Sequence, residues 1–137
     1  MKLSVSEILE MVSKEKNRAK KIELLHQHQS VPLKQVLQYC FDPNIKWLLP
    51  EGDVPYKPSA LTDQESMFYV EARRLYLFVE GGNDDLTDLR RQTLFIELLE
   101  TLDPADAKLL VKIKDKKMPY PGITYKLIKE AFTEILP

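Results

Sequence analysis

Apolar residues in this chain recur every three to four positions, and most of these runs follow a helix-start signal. Ser4 and Glu7 form a capping box ahead of Val5, Ile8, Leu9 and Val12, which share one helical face. The pattern breaks near Ser13. Ala19, Ile22 and Leu25 then open a second short helix among Lys14, Lys16, Arg18, Lys20 and Lys21. Pro32 suits the first turn of a third helix, whose stripe is Leu33, Val36, Leu37 and Cys40. Asp42-Pro43 ends it, because a residue before proline avoids the α region. Thr62 and Glu65 repeat the capping box ahead of Met67, Phe68, Val70, Leu75, Phe78 and Val79. This most apolar run is expected to be one central helix, closed by Gly81-Gly82. Asn83-Asp84-Asp85 is read as the cap of the next helix, with Leu89, Leu94, Ile96, Leu98, Leu99 and Leu102 inside. Asp103-Pro104 starts a sixth and Thr124 a seventh, the last carrying Leu127, Ile128, Ala131, Ile135 and Leu136. No run alternates with period two and none repeats at a fixed spacing. The expected fold is all-α, a single compact domain of about seven helices.

A chain of 137 residues is one domain by size and can bury a core without a disulfide or metal staple. The one irregular stretch is 42–61, with Pro43, Pro50, Pro55, Pro58 and Gly52. It also holds Trp47, Leu48, Leu49 and Tyr56, so it is expected to pack back on the body. Cys40 is the only cysteine, which excludes an internal disulfide and fits a reducing compartment. No apolar stretch reaches the about 18 residues of a membrane span. The opening residues lack the apolar run of a signal peptide. A cytoplasmic protein is expected.

Several chemistries find no footing. His26 and His28 point about 200° apart on a helix and cannot share a metal there. Asn83, Asp84, Asp85 and Asp88 lack the alternating ligands and terminal Glu of a calcium loop. Gly81-Gly82 has no Gly-Lys-Ser/Thr beside it, and no nucleophile elbow occurs. No metal, cofactor, small-molecule substrate or catalytic residue is expected.

The charge distribution is more informative. The net charge is −1, but residues 61–107 hold 4 basic against 11 acidic side chains, whereas 108–137 hold 7 against 3. Lys108 and Lys112 stand four apart on one helix face, followed by Lys114, Lys116 and Lys117. Tyr120 follows, and Thr124, Tyr125, Lys126 and Lys129 open the last helix. Lysines, a threonine and the free N–H groups of a helix start are ordinary phosphate contacts.

The order of residues adds a family likeness. Leu98-Leu99-Glu100-Thr101-Leu102-Asp103-Pro104-Ala105-Asp106-Ala107-Lys108-Leu109-Leu110 leads into Pro121-Gly122-Ile123-Thr124, then Leu127-Ile128-Lys129-Glu130-Ala131-Phe132. This resembles the end of the N-terminal DNA-binding domain of ATP-dependent DNA ligases of the phage type, with Gly122-Ile123-Thr124 at its Gly-Val-Ser turn. Ile8-Leu9-Glu10-Met11-Val12, the lysine-rich 14–21 and Ile22-Glu23-Leu24-Leu25 are similar to that domain's first two helices. Gln38-Tyr39-Cys40-Phe41-Asp42-Pro43 falls where those ligases leave their third helix. The chain is also similar to an uncharacterised family of small tailed-phage proteins, and a stand-alone copy of the domain fits a phage gene. Lys114-Asp115-Lys116-Lys117 is not the Lys-x-Asp-Gly nucleophile motif of a ligase. The resemblance therefore implies non-catalytic binding of duplex DNA through its backbone, without base readout. Lys112, Lys114, Lys116, Lys117, Thr124 and Lys126 would meet phosphates. Tyr120 and Pro121 stand where the ligases run closer to glycine, which changes how near the backbone comes to DNA.

The alternative is a protein-interaction module that binds a phage or host protein and has lost DNA binding. Its candidate surfaces are the acidic Asp84, Asp85 and Asp88 and the loop residues Trp47 and Tyr56.

Overall fold

In the computed structural model, residues 3–60 and 67–137 are described. Among them are seven α-helices and one 3₁₀ segment, with no strand beyond a single bridge between Trp47 and Val79. The helices are α1 (Val5–Lys14), α2 (Arg18–Gln27), α3 (Val31–Phe41), α4 (Met67–Glu71), α5 (Asp88–Thr101), α6 (Pro104–Ile113) and α7 (Tyr125–Ala131). The 3₁₀ segment is Ala72–Phe78. The second capping box, Thr62 and Glu65, lies outside the described residues.

Local chemistry sets most of the boundaries. Ser4 Oγ accepts from the Glu7 N–H, and Glu7 answers by accepting the Ser4 N–H. Asn17 caps α2 after a break of three residues, so the two helices are separate. Ser30, Asp103 and Thr124 cap α3, α6 and α7 with their side-chain oxygens.

Three boundaries correct the sequence reading. The last helix stops at Ala131, where the Phe132 N–H caps it, so Ile135 and Leu136 lie beyond it. The run expected to be one long helix is α-helical only to Glu71 and then tightens to 3₁₀. Its buried residues Ala72, Leu75 and Phe78 are three apart. A 3₁₀ turn has three residues, so it brings all of them to one face, and Arg73, Arg74 and Tyr76 stay outside. The cap of α5 is Thr87, not Asn83-Asp84-Asp85. Asn83 and Asp84 accept instead from the N–H groups of Asp85 and Gly81, and shape the preceding turn. With the helix starting at Asp88, Leu89 falls on its outer face and is 76% exposed.

The hub is α6 rather than the central run. It packs on α1, α3 and α5 and buries Ala107, Leu109, Leu110 and Ile113. α2 lies on α1 and α7, while α3 and α5 hold the 3₁₀ segment. Phe78 meets Phe95 edge-on at 5.1 Å between centroids, and Trp47 meets Phe95 at 6.4 Å. Gly82 closes the turn after the 3₁₀ segment because a Cβ there would stand 1.7 Å from the Tyr76 carbonyl oxygen.

The irregular stretch does fold back on the body. The Leu48 N–H donates to the Phe78 carbonyl, and the Glu80 N–H to that of Lys46. Trp47 is half-buried, and its indole N–H donates to the Tyr39 carbonyl at 3.0 Å.

Candidate nucleic-acid interface

The predicted lysines divide into two groups. Lys108, Lys112, Lys117 and Lys126 are exposed, and none is ion-paired among the described residues. Lys114 is not available. Its side chain is 1% exposed, and its ammonium donates to the Gly52 carbonyl at 2.6 Å and to Asp115 at 2.8 Å. It sits one residue past the end of α6 on the hub's inward side, so it serves the fold and cannot meet a phosphate.

Lys116 is intermediate between these cases. Its φ is 61°, in the left-handed region that favours glycine after a helix. The Lys116 N–H bonds the Ile113 carbonyl and the Lys117 N–H the Lys112 carbonyl, which is the pairing of a Schellman close. That geometry aims the Lys116 ammonium back at the Asp42 carbonyl, 2.7 Å away. Partial burial lowers its pKa, opposed by Cys40 and Asp42. Thr124 is committed to the Leu127 N–H, and the Tyr125 hydroxyl donates to the Pro137 carbonyl. α7 itself has seven residues, a short base for a dipole.

The turn before α7 joins the C-terminal basic segment to a distant one. Gly122 has a φ of +82°, which turns the chain back toward α1 and α2. Ser13 donates to the Pro121 carbonyl at 2.7 Å, and Lys21 to the Gly122 carbonyl at 3.0 Å. The lysine-rich stretch 14–21 thus borders the turn that follows Tyr120. Lys14 and Arg18 are paired to Glu10 and Glu130, whereas Lys16 and Lys20 are exposed and have no ion pair among the described residues. The spacing of residues 100 apart gave no sign of this meeting; only the lysine richness of 14–21 was legible.

On the other side of Tyr120 is a cleft of about 460 Å³. Lys108 and Lys112 from α6 border it, with Val54 and Tyr56 from the irregular stretch, and Asp53, Pro119 and Tyr120 complete it. Tyr56 and Tyr120 are half-buried, and burial raises the pKa of each phenol. Both therefore stay neutral at ordinary pH.

Residues 8–120 match the family of unknown function DUF6433. The chain belongs to that family. No curated protein and no solved structure matches it. The family match spans the cleft, including Tyr56, Lys108, Lys112 and Tyr120, and stops before Gly122 and α7.

The other candidate residues of this family member are placed as follows. Trp47 is committed to Tyr39 and the Phe95 edge, so it belongs to the core margin. Tyr56 lines the cleft. Asp84, Asp85 and Asp88 are exposed around the turn before α5. That turn is held by Arg91, a residue the pattern reading passed over. It is buried and donates to the carbonyls of Leu77, Asn83 and Leu86 and to Asp88. An arginine on an otherwise amphipathic helix gives no sign of such a role, because its partners are mostly backbone.

Two further groups have shifted pKa values for a plain reason. Burial pushes the Cys40 thiol up to about 11, so it stays protonated at neutral pH. Burial likewise raises Asp106 to about 6, opposed by Ser6, whose N–H donates to it. His26 bonds the Ala131 carbonyl. No three His, Cys, Asp or Glu side chains converge on a metal-sized site among the described residues, and no described helix is long and apolar enough to cross a membrane.

Proposed function

We propose that the chain binds duplex DNA through backbone phosphates, without reading base sequence. The observation that carries this is the Pro121-Gly122 turn. It holds the segment between the exposed Lys117 and Lys126 against the lysine-rich 14–21, through Ser13 and Lys21. Phosphate binding needs cations that are solvated and unpaired, and Lys16, Lys20, Lys108, Lys112, Lys117 and Lys126 meet that condition. The ordered likeness to the ligase DNA-binding domain supports the same reading.

Fluorescence anisotropy against salt tests it. Six phosphate contacts give a log–log slope of about −5.4, so a fourfold rise in salt weakens binding by more than about a thousandfold. Changing Lys108, Lys112 and Lys117 together to Gln should reduce that slope by about 3. Lys114 is left untouched because its loss would report on folding. A slope near zero, or one the triple variant leaves unchanged, would exclude backbone binding at this surface.

One observation favours a second reading, binding to a protein. Leu89 is 76% exposed immediately after Asp84, Asp85 and Asp88, an apolar contact with an acidic border. A partner recovered with the wild-type chain and lost with Leu89→Ser would support it.

A further inference from the structure

We propose that the cleft between α6 and the irregular stretch holds one unpaired nucleotide of a DNA strand, its base against Tyr56 and Tyr120 and its phosphate on Lys108 and Lys112. This rests on the DNA-binding reading and specifies what the same surface takes beyond a plain duplex.

Three features of the cleft point to this occupant. Its volume of about 460 Å³ lies within the about 300–1,000 Å³ of small-ligand sites, enough for a base and its sugar phosphate. Its chemistry is divided. Tyr56, Tyr120 and Val54 offer flat or apolar surface, whereas Lys108 and Lys112 sit four apart on one helix face. A stacked base beside a phosphate is the DNA unit that needs both, and stacking on aromatic rings is worth about 1–3 kcal/mol per base. A paired base inside a duplex cannot offer its face, so the site selects an unpaired one.

The third feature is that the wall is already in place. The peptide at Gly52 is gripped from both sides: its carbonyl accepts from Lys114 at 2.6 Å and its N–H donates to Asp115 at 3.0 Å. Beyond Tyr56, the Lys57 N–H donates to Glu100 at 2.8 Å. Asp53, Val54 and Tyr56 therefore lie on a short span anchored at both ends, and little ordering remains for a ligand to impose. Asp53 also borders the cleft. Its carboxylate repels a phosphate and accepts from an exocyclic amine, which orients the ligand with its base toward the loop and its phosphate toward α6. Cytosine offers such an amine.

The test compares a blunt duplex with the same duplex carrying a short single-stranded deoxycytidine overhang, by fluorescence anisotropy at one salt concentration. The overhang should bind at least about fivefold tighter to the wild-type chain. Tyr120→Phe keeps the ring and should keep that ratio, while Tyr120→Ala should lower it. Ala105→Phe, which fills the cleft from the start of α6, should bring it to one. Reading a ratio within each variant separates loss of the site from loss of fold. Equal binding of both duplexes by the wild-type chain would overturn the cleft assignment and leave backbone binding standing. Failure of both to bind at low salt would overturn the two together. A preference that survives Ala105→Phe would place the unpaired strand elsewhere and overturn the assignment.

Discussion

Replacing Lys114 by methionine is expected to destabilise the fold by about 3–5 kcal/mol, the usual result of leaving a buried charge unpaired. Methionine matches the length of the lysine stem, so little volume is lost. What is lost is the ammonium between Asp115 and the Gly52 carbonyl. The two side chains are 1% and 8% exposed, so neither water nor salt makes up the difference. Most domains have about 5–15 kcal/mol in total, and such a loss is a large share. Denaturant unfolding followed by circular dichroism measures it. The companion variant Lys114→Met/Asp115→Asn removes both charges while an amide oxygen still accepts the Gly52 N–H. It should recover more than half of the loss. If Lys114→Met alone costs under about 1 kcal/mol, the pair is not the clasp described, because an unpaired buried carboxylate cannot be that cheap. The same clasp anchors one side of the cleft, so Lys114→Met should also weaken any preference for an unpaired strand.

The stability gap between wild type and Asp106→Asn is expected to change by about 3 kcal/mol between pH 3 and pH 8, in the variant's favour as pH rises. Asp106 is fully buried near the start of α6. One oxygen accepts the Ser6 N–H at 2.9 Å, and the other has no partner among the described residues. Burial raises its pKa from an ordinary 3.8 to about 6, aided by Asp103 and Glu7 and opposed by Ser6. An acid whose pKa is raised by folding keeps its proton longer in the native state. The native state therefore holds more protons than the unfolded chain between the two values, and stability falls through that window. The separation of the two values corresponds to about 3 kcal/mol. Below about pH 3 the carboxyl is neutral in both states and the term is absent; above the folded value the full cost is felt. Asparagine cannot ionise and keeps an oxygen for Ser6. Comparing the two curves cancels every other titrating group. Parallel curves would show that Asp106 is solvated and that its unpartnered oxygen is not buried in solution.

Much of the fold is written in short-range chemistry. Ser4, Pro32, Asp103-Pro104 and Thr124 each announce a helix within three residues of where it starts, because capping is a contact between near neighbours. The apolar stripes of α1 and α3 are equally local, and Val5, Ile8, Leu9 and Val12 are all buried. Where sequence reading went astray, the deciding contact lay elsewhere in the chain. Ala72, Leu75 and Phe78 are the buried residues of a 3₁₀ segment that packs on α3 and α5, elements distant in the chain. Thr87 takes the cap of α5 because Arg91 and Asn83 have drawn Asp84 and Asp85 into a separate turn.

The candidate interface divides in the same way. Residue types and their clustering announced a basic C-terminal third, and Lys108, Lys112, Lys117 and Lys126 are indeed exposed. Lys114 stands in the same run and is buried, because a lysine turned inward and one turned outward look alike until the far partner is known. The cleft is made by residues more than 50 positions apart, Tyr56 and Lys108 among them, and no local signal joins them. The sequence by itself determined that this chain is helical, where most helices begin, and that its positive charge gathers toward its end. Only the tertiary structure decided which lysines remain in water, and that the Gly52 peptide would be held between Lys114 and Asp115 to wall a cleft. Caps and stripes act over one or two turns, whereas the burial of a charge depends on whatever the rest of the chain brings to it.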